Sequence, residues 1–158
     1  MTSKTDEALL SKAKHTVYHL LKFRPRSRKE ILTKLQEKRF PPEAVEETVE
    51  YFIEIGLIND RQFAQGWISS RRNRGFGLIR IEKELKEKGL APEIIQEELK
   101  ETTDEATELK TAKILGEKRA SRYPGLDKNK VKQRVYGYLI RRGFSYDTAI
   151  KALPSLFR

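Results

Sequence analysis

The sequence predicts an all-α protein built as an elongated, curved array of three tandem three-helix repeats. Three observations carry that prediction. Apolar residues recur with a helical period, as in Ile31, Leu32 and Leu35. Helix punctuation is frequent, and no segment needs a strand. Finally, the chain resembles itself: a shift of 50 residues places Ile31, Leu35, Phe40, Pro42, Glu43, Val45 and Val49 on Ile81, Leu85, Leu90, Pro92, Glu93, Ile95 and Leu99.

Taken in order, a first amphipathic helix runs over about 5–23. Ser27 followed by Glu30 is a capping box, in which each side chain serves the other residue's backbone donor, so a second helix starts at Arg28. The chain turns at Arg39 and Phe40, and Pro42 suits the first position of a third helix carrying Val45, Val49, Phe52 and Ile53 on its apolar stripe. Gly56 followed by Leu57 reads as a left-handed cap with its apolar contact, and Asn59 with Gln62 caps the helix 60–73. The second copy follows, then a helix over 105–121. The third copy lies 104 residues from the first: Val135, Leu139, Phe144, Asp147, Ala149 and Leu153, with Arg142 on Lys38 and Lys88. There Ser145 caps in place of the prolines. The turn residue is Gly89 and Gly143 in the later copies but Arg39 in the first, where a left-handed conformation costs about 1 kcal/mol. The expected repeats are 1–58, 59–103 and 104–158. Each is too small to bury its stripe alone, so neighbours stack.

Composition narrows the function. With 33 Lys and Arg against 23 Asp and Glu, the 158-residue chain carries a formal charge of +10, which points to an anionic partner. Hydrophobic residues are 37% and charged ones 35%, too little apolar material for one thick core but enough for several thin ones. Zero Cys excludes disulfides, thiolate metal sites and Cys nucleophiles, and fits a reducing compartment, so the expected location is cytoplasmic. Apolar runs reach only three residues, so no membrane association is expected.

Several segments together resemble the RecX family of bacterial recombination regulators. They are Arg24, Arg26 and Ser27; LQEKRF at 35–40; GLINDRQFA at 56–64; Trp67; RGFGLIRIEKEL at 74–85; Lys88 to Leu90; and YLIRRGF at 138–144. The resemblance spans about 21–153 and departs at Asn59, where an acid is usual, and at Arg39, where Gly is common. It implies a non-enzymatic regulator that needs no cofactor. Such a protein binds the RecA filament on single-stranded DNA along its groove and modulates, mainly inhibiting, ATP hydrolysis and strand exchange in recombination, repair and the SOS response. The implied partners are RecA and single-stranded DNA, with duplex DNA left open, and a monomer is expected. The competing expectations are an autonomous, sequence-independent DNA-binding protein and a helical interaction scaffold.

Candidate contacts to DNA or filament fall in two groups. Residues 111–158 hold twelve Lys and Arg against Glu117, Asp127 and Asp147. Of these, Lys118, Arg119, Arg122, Lys128, Lys130, Lys132, Arg134, Arg141 and Arg142 are spaced as phosphate contacts, with Tyr123, Tyr136 and Tyr138 interleaved. The second group is Arg24, Arg26, Arg71, Arg72, Arg74 and Arg80 at the repeat junctions, where loops tend to share a side; Arg24 and Arg74 equally suit C-terminal capping of helices. Glu43, Glu46, Glu47, Glu50 and Glu54, with Glu93, Glu97, Glu98 and Glu101, read as exposed acidic faces able to meet a basic protein surface. Gly75 and Gly77 lack a phosphate-loop context and read as a turn, and Trp67 reads as core beside Phe63, Ala64 and Ile68. His15 and His19 share a helical face without further ligands, so no metal is expected, and no constellation specifies a catalytic residue.

Overall fold

The computed structural model describes residues 4–153 and holds, among them, nine helices and no strand. They are α1 Lys4–Phe23, α2 Arg28–Glu37, α3 Pro42–Glu54, α4 Asp60–Asn73, α5 Leu78–Glu87, α6 Pro92–Thr102, α7 Glu105–Ala120, α8 Lys128–Arg142 and α9 Tyr146–Ala152. Residues 1–3 and 154–158 of the expected outer repeats, including Arg158 of the basic segment, lie outside the described residues.

Side-by-side helix packing occurs within three consecutive triplets: α1 with α2 and α3, α4 with α5 and α6, α7 with α8 and α9. Each triplet has its own thin core. Ala13, Val17, Ile31, Leu35, Val45, Val49, Phe52 and Ile58 fill the first. Phe63, Ala64, Ile68, Ile81, Leu85, Leu90, Ile95 and Leu99 fill the second, and Ala112, Val131, Val135, Leu139, Phe144, Ala149 and Ala152 the third. The apolar stripe positions that superpose under the repeat shifts, Ile31, Leu35 and Val45 on Ile81, Leu85 and Ile95 and on Val135, Leu139 and Ala149, are buried at the centres. At roughly 1.5–3 kcal/mol for each large side chain, these stripes hold the triplets together.

Three details differ from the sequence reading. Ile53 is exposed because α1 and α2 cover the face of α3 that carries Val45, Thr48, Val49 and Phe52, so Thr48 takes the buried place. Gly56 closes α3 as expected, with Leu57 N–H donating to Phe52 O at 2.9 Å, but Leu57 is 49% exposed and Ile58 makes the apolar contact. Only half of the capping box forms. Ser27 Oγ accepts from Glu30 N–H at 3.2 Å, while the Glu30 carboxylate faces Arg24, Arg26 and Lys88, whose charges outcompete a backbone donor.

The triplets are joined through helix ends. At the start of α5, Gly77 N–H donates to Arg142 O at 2.8 Å and Ile79 N–H to Gly143 O at 3.0 Å, both at the end of α8. Leu78 N–H donates to Glu108 Oε1 of α7 at 3.0 Å. The start of α2 repeats the arrangement: Ser27 Oγ donates to Lys88 O at the end of α5 at 2.7 Å, and Arg28 N–H donates to Asp60 Oδ1 of α4 at 2.8 Å. So the middle helices α8, α5 and α2 follow one another end to end. At the second junction orphan N–H groups of one helix meet orphan carbonyls of the next, at the first the Ser27 hydroxyl makes the equivalent bond, and positive dipole ends face negative ones. A carboxylate at the start of the following triplet takes a further N–H at each junction.

These junctions explain the turn residues. Arg39, Gly89 and Gly143 all adopt a left-handed conformation, with φ of 63°, 81° and 99°. A Cβ on Gly89 would overlap the Lys29 side chain, and one on Gly143 would overlap the Arg80 side chain, so docking as well as φ demands glycine there. Gly77, with ordinary φ, is also required sterically, because its Cβ would run into the Gly143 carbonyl. Arg39 closes α2 at the outer end of the series, away from both junctions, and meets only the conformational cost. Arg39→Gly should therefore raise unfolding stability by about 1 kcal/mol in a denaturant melt, and an unchanged or lowered midpoint would contradict this. Leu85→Ala, at a fully buried position of the second core, should lower it by about 2–5 kcal/mol; a native-like melt would contradict the stripe.

Candidate nucleic-acid interface

The two groups of cations stand in different electrostatic settings. Most junction arginines are held by carboxylates. Glu30 meets Arg24 at 2.7 Å, Arg26 at 3.8 Å and Lys88 at 3.2 Å. Glu84 meets Arg71 at 2.9 Å and Arg80 at 3.1 Å, and also accepts from Trp67 Nε1 at 2.8 Å. Arg72 pairs with the buried Glu108. Burial, reinforced by the neighbouring Arg24 charge, pushes the Arg26 guanidinium below its ordinary value, while Glu30 opposes the shift. Arg24 also donates to Pro25 O just beyond α1, and Arg74 caps α4, so both stand at helix C-termini as their alternative reading required.

The third triplet is unlike the others. Its ion pairs join Lys151 to Glu105 and Asp147, and Glu108 to Arg72. Among the described residues, Lys118, Arg119, Arg122, Lys128, Lys130, Arg134 and Arg141 have no carboxylate within ion-pair distance. All but Arg119 are exposed, as is Lys132. Lys128, Lys130, Lys132 and Arg134 lie along the first turns of α8, and Arg141 borders a groove at the second junction with Ile79, Arg80 and Ile140. Lys118, Arg122, Lys128, Lys130, Arg134 and Arg141 are thus available to phosphate without first giving up a carboxylate.

A chain of cation–aromatic contacts connects the two settings. Arg134 lies 4.8 Å from the Tyr123 ring centre, and Arg119 lies 5.7 Å from Tyr123 and 4.8 Å from Tyr138. Arg142 reaches Tyr138 at 5.8 Å and Phe76 at 4.0 Å across the second junction. Phe76 also meets Arg80 at 4.0 Å and Arg71 at 5.4 Å; Arg71 continues to Trp67 at 4.6 Å, and Trp67 to Lys88 at 5.1 Å. Lys88 then meets Glu30 in the first triplet. The ladder thus runs through all three units, each contact contributing about 0.5–2 kcal/mol.

Sequence reasoning placed the arginines and tyrosines but missed the pivots, Phe76 and Glu108. A signal for Glu108 existed: with Ala112 and Gly116 it occupies the buried stripe of α7, where a carboxylate must find partners. One expectation is refined and one changes. Trp67 packs against the second core as expected, but it is half-buried, because its N–H reaches Glu84. Glu98 is buried and bonds Arg61 at 2.9 Å, tying α6 to α4, so it leaves the acidic face; its α3 counterparts Glu43, Glu46, Glu47, Glu50 and Glu54 are exposed as expected. No group of three or more His, Asp or Glu among the described residues is arranged for a metal ion, and none of their helices is long and apolar enough to cross a membrane.

Family models for the first, second and third three-helix domains of RecX match residues 13–52, 59–99 and 106–153. The chain belongs to the RecX family. A regulatory protein RecX of Streptomyces coelicolor is 33% identical over 145 residues, covering 91% of this chain and 77% of that one. One from Chlorobium phaeobacteroides is 33% identical over 150 residues, covering 93% and 95%. The crystal structure of RecX from Lactobacillus salivarius superposes with a TM-score of 0.85 at 26% identity, covering 95% of this chain and 97% of that one. The helix triplets of this RecX-family chain coincide with the family's three domains.

The structure also separates the neighbours Arg141 and Arg142. Arg141 is exposed, whereas Arg142 donates to Arg74 O and Gly75 O and stacks on Phe76. Arg142→Ala should cost about 2 kcal/mol of stability and Arg141→Ala almost none, as read by chemical denaturation. Equal effects would remove Arg142 from the junction.

Proposed function

We propose that this chain is a non-enzymatic regulator that binds the RecA filament on single-stranded DNA along its groove and modulates, mainly inhibiting, ATP hydrolysis and strand exchange. Membership of a family whose relatives are named regulatory proteins supports the regulatory role. The observation that carries the nucleic-acid contact is the set of third-triplet cations without carboxylate partners. Lys118, Arg119, Arg122, Lys128, Lys130, Arg134 and Arg141 of that set, joined by the exposed Lys132, approach phosphate in this proposal. Arg72 and Arg142 bridge neighbouring triplets, Arg24, Arg26, Arg71 and Arg80 are held by carboxylates of their own triplet, and Arg74 stands exposed beside them. The acidic outer face of α3 meets protein. Spanning adjacent recombinase subunits, a jointed array limits their relative motion without chemistry of its own, and multiple weak contacts supply the avidity.

A salt titration on recombinase-coated and naked single-stranded DNA tests this. The regulator should hold the coated DNA more tightly. Replacing Lys128, Lys130 and Arg134 together by Gln should lower the slope of log affinity against log salt by about 2 on naked strands, as three lost phosphate contacts require. Equal affinity of the unaltered protein for coated and naked DNA would favour an autonomous DNA-binding protein; no affinity for either would favour a scaffold.

A further inference from the structure

The first junction contains a groove of about 440 Å³ that has no counterpart in the ladder just described. Leu57, Phe63 and Trp67 form apolar walls, Gly66 lies between them on α4, and Arg24 and Arg26 stand at one side. Three features mark it as a place for a ligand. Leu57 is 49% exposed at the cap of α3, where the structure turns Ile58 rather than Leu57 into the core. Gly66 leaves open space where a side chain would project, since nothing lies within 4 Å of the position of its Cβ. The charge on this side is unbalanced: Arg24, Arg26 and Lys88 share the single carboxylate of Glu30, and the buried Arg26 Nε–H has no acceptor among the described residues.

Stacking of a nucleobase on Trp67 is disfavoured. Phe63 stacks on the indole with ring centres 5.8 Å apart and Arg71 lies over it at 4.6 Å, and these neighbours stand one helical turn before and after Trp67. What remains open is apolar ring edge and the Leu57 side chain, beside a positive excess. We propose that this groove docks an acidic segment of a partner protein. A large apolar side chain of that segment packs against Leu57 and Trp67, and an adjacent carboxylate supplies a second counter-charge beside Arg24 and Arg26, which share Glu30 with Lys88. Charge-assisted bonds to carboxylate favour arginine at such a position. The proposal concerns this groove alone and stands whether or not the filament is the source of the segment.

Trp67 is the single tryptophan of the chain, so its emission reports on the groove directly. The full chain is titrated with a synthetic peptide in which a Leu-Phe pair is flanked by Asp and Glu. Two control peptides replace Leu-Phe by Ser-Ser or the acids by Lys. A saturable change is expected with the acidic Leu-Phe peptide only. Gly66→Leu fills the groove and should weaken binding roughly tenfold or more, while melting no lower than the unaltered chain because leucine is the better helix former. Arg24→Gln should weaken it as well. Absence of a saturable change, binding that survives Gly66→Leu, or equal binding of the Ser-Ser peptide would overturn the proposal. So would a short oligothymidylate that produced the same change and lost it in Gly66→Leu.

Discussion

The ends of α2 and α5 must find partners for their first backbone donors, and that requirement organises the molecule. Both helices are ten residues long, so a large share of their polar backbone lies in the first and last turns. Each start is closed by the next triplet, through a carbonyl at the end of its middle helix and a carboxylate on its first helix. The cores hold each triplet together, but this polar closure is what sets one triplet against the next. It also explains why close backbone approach selects glycine at positions 77, 89 and 143 and tolerates arginine at 39.

Charge follows the same division. Arginines near the junctions face Glu30, Glu84 and Glu108, and those pairs are partly buried, where loss of one partner is far more costly than at an open surface. Among the described residues of the third triplet, the exposed Lys128, Lys130, Arg134 and Arg141 of α8 have no carboxylate within ion-pair distance, so their charge is available to an external anion. The cation–aromatic contacts run from Arg134 in the third triplet across the second junction to Trp67 and Lys88, and the Lys88–Glu30 ion pair crosses the first.

Much of this was legible in the sequence. The superposition of Ile31, Leu35 and Val45 on Ile81, Leu85 and Ile95 fixed the repeat, and Ser27, Asn59, Pro42 and Gly56 marked helix limits that the structure keeps. What periodicity does not encode is which helix face a neighbour covers, so Ile53 falls outside the core of α3 and the apolar contact expected of Leu57 is made by Ile58. Nor does it show long-range pairing: Glu98 reads as a surface acid until Arg61 is brought beside it, and the partner of Glu108 appears only when Arg72 is placed. Arg141 and Arg142 are chemically alike and adjacent, and only the position of Phe76 and of the α4 carbonyls separates an exposed cation from a junction clamp.

Amide hydrogen exchange at Gly77 and Ile79 tests the end-to-end joining most directly, since both N–H groups bond across the second junction and lie outside the internal ladder of α5. Strong protection is expected in the intact protein, falling selectively in Glu108→Ala while the amides of Leu85 and Leu139 inside their cores stay protected. Exchange of Gly77 and Ile79 at the unprotected rate in the intact protein would show that the triplets are beads on a string, and the account of a jointed array would fail.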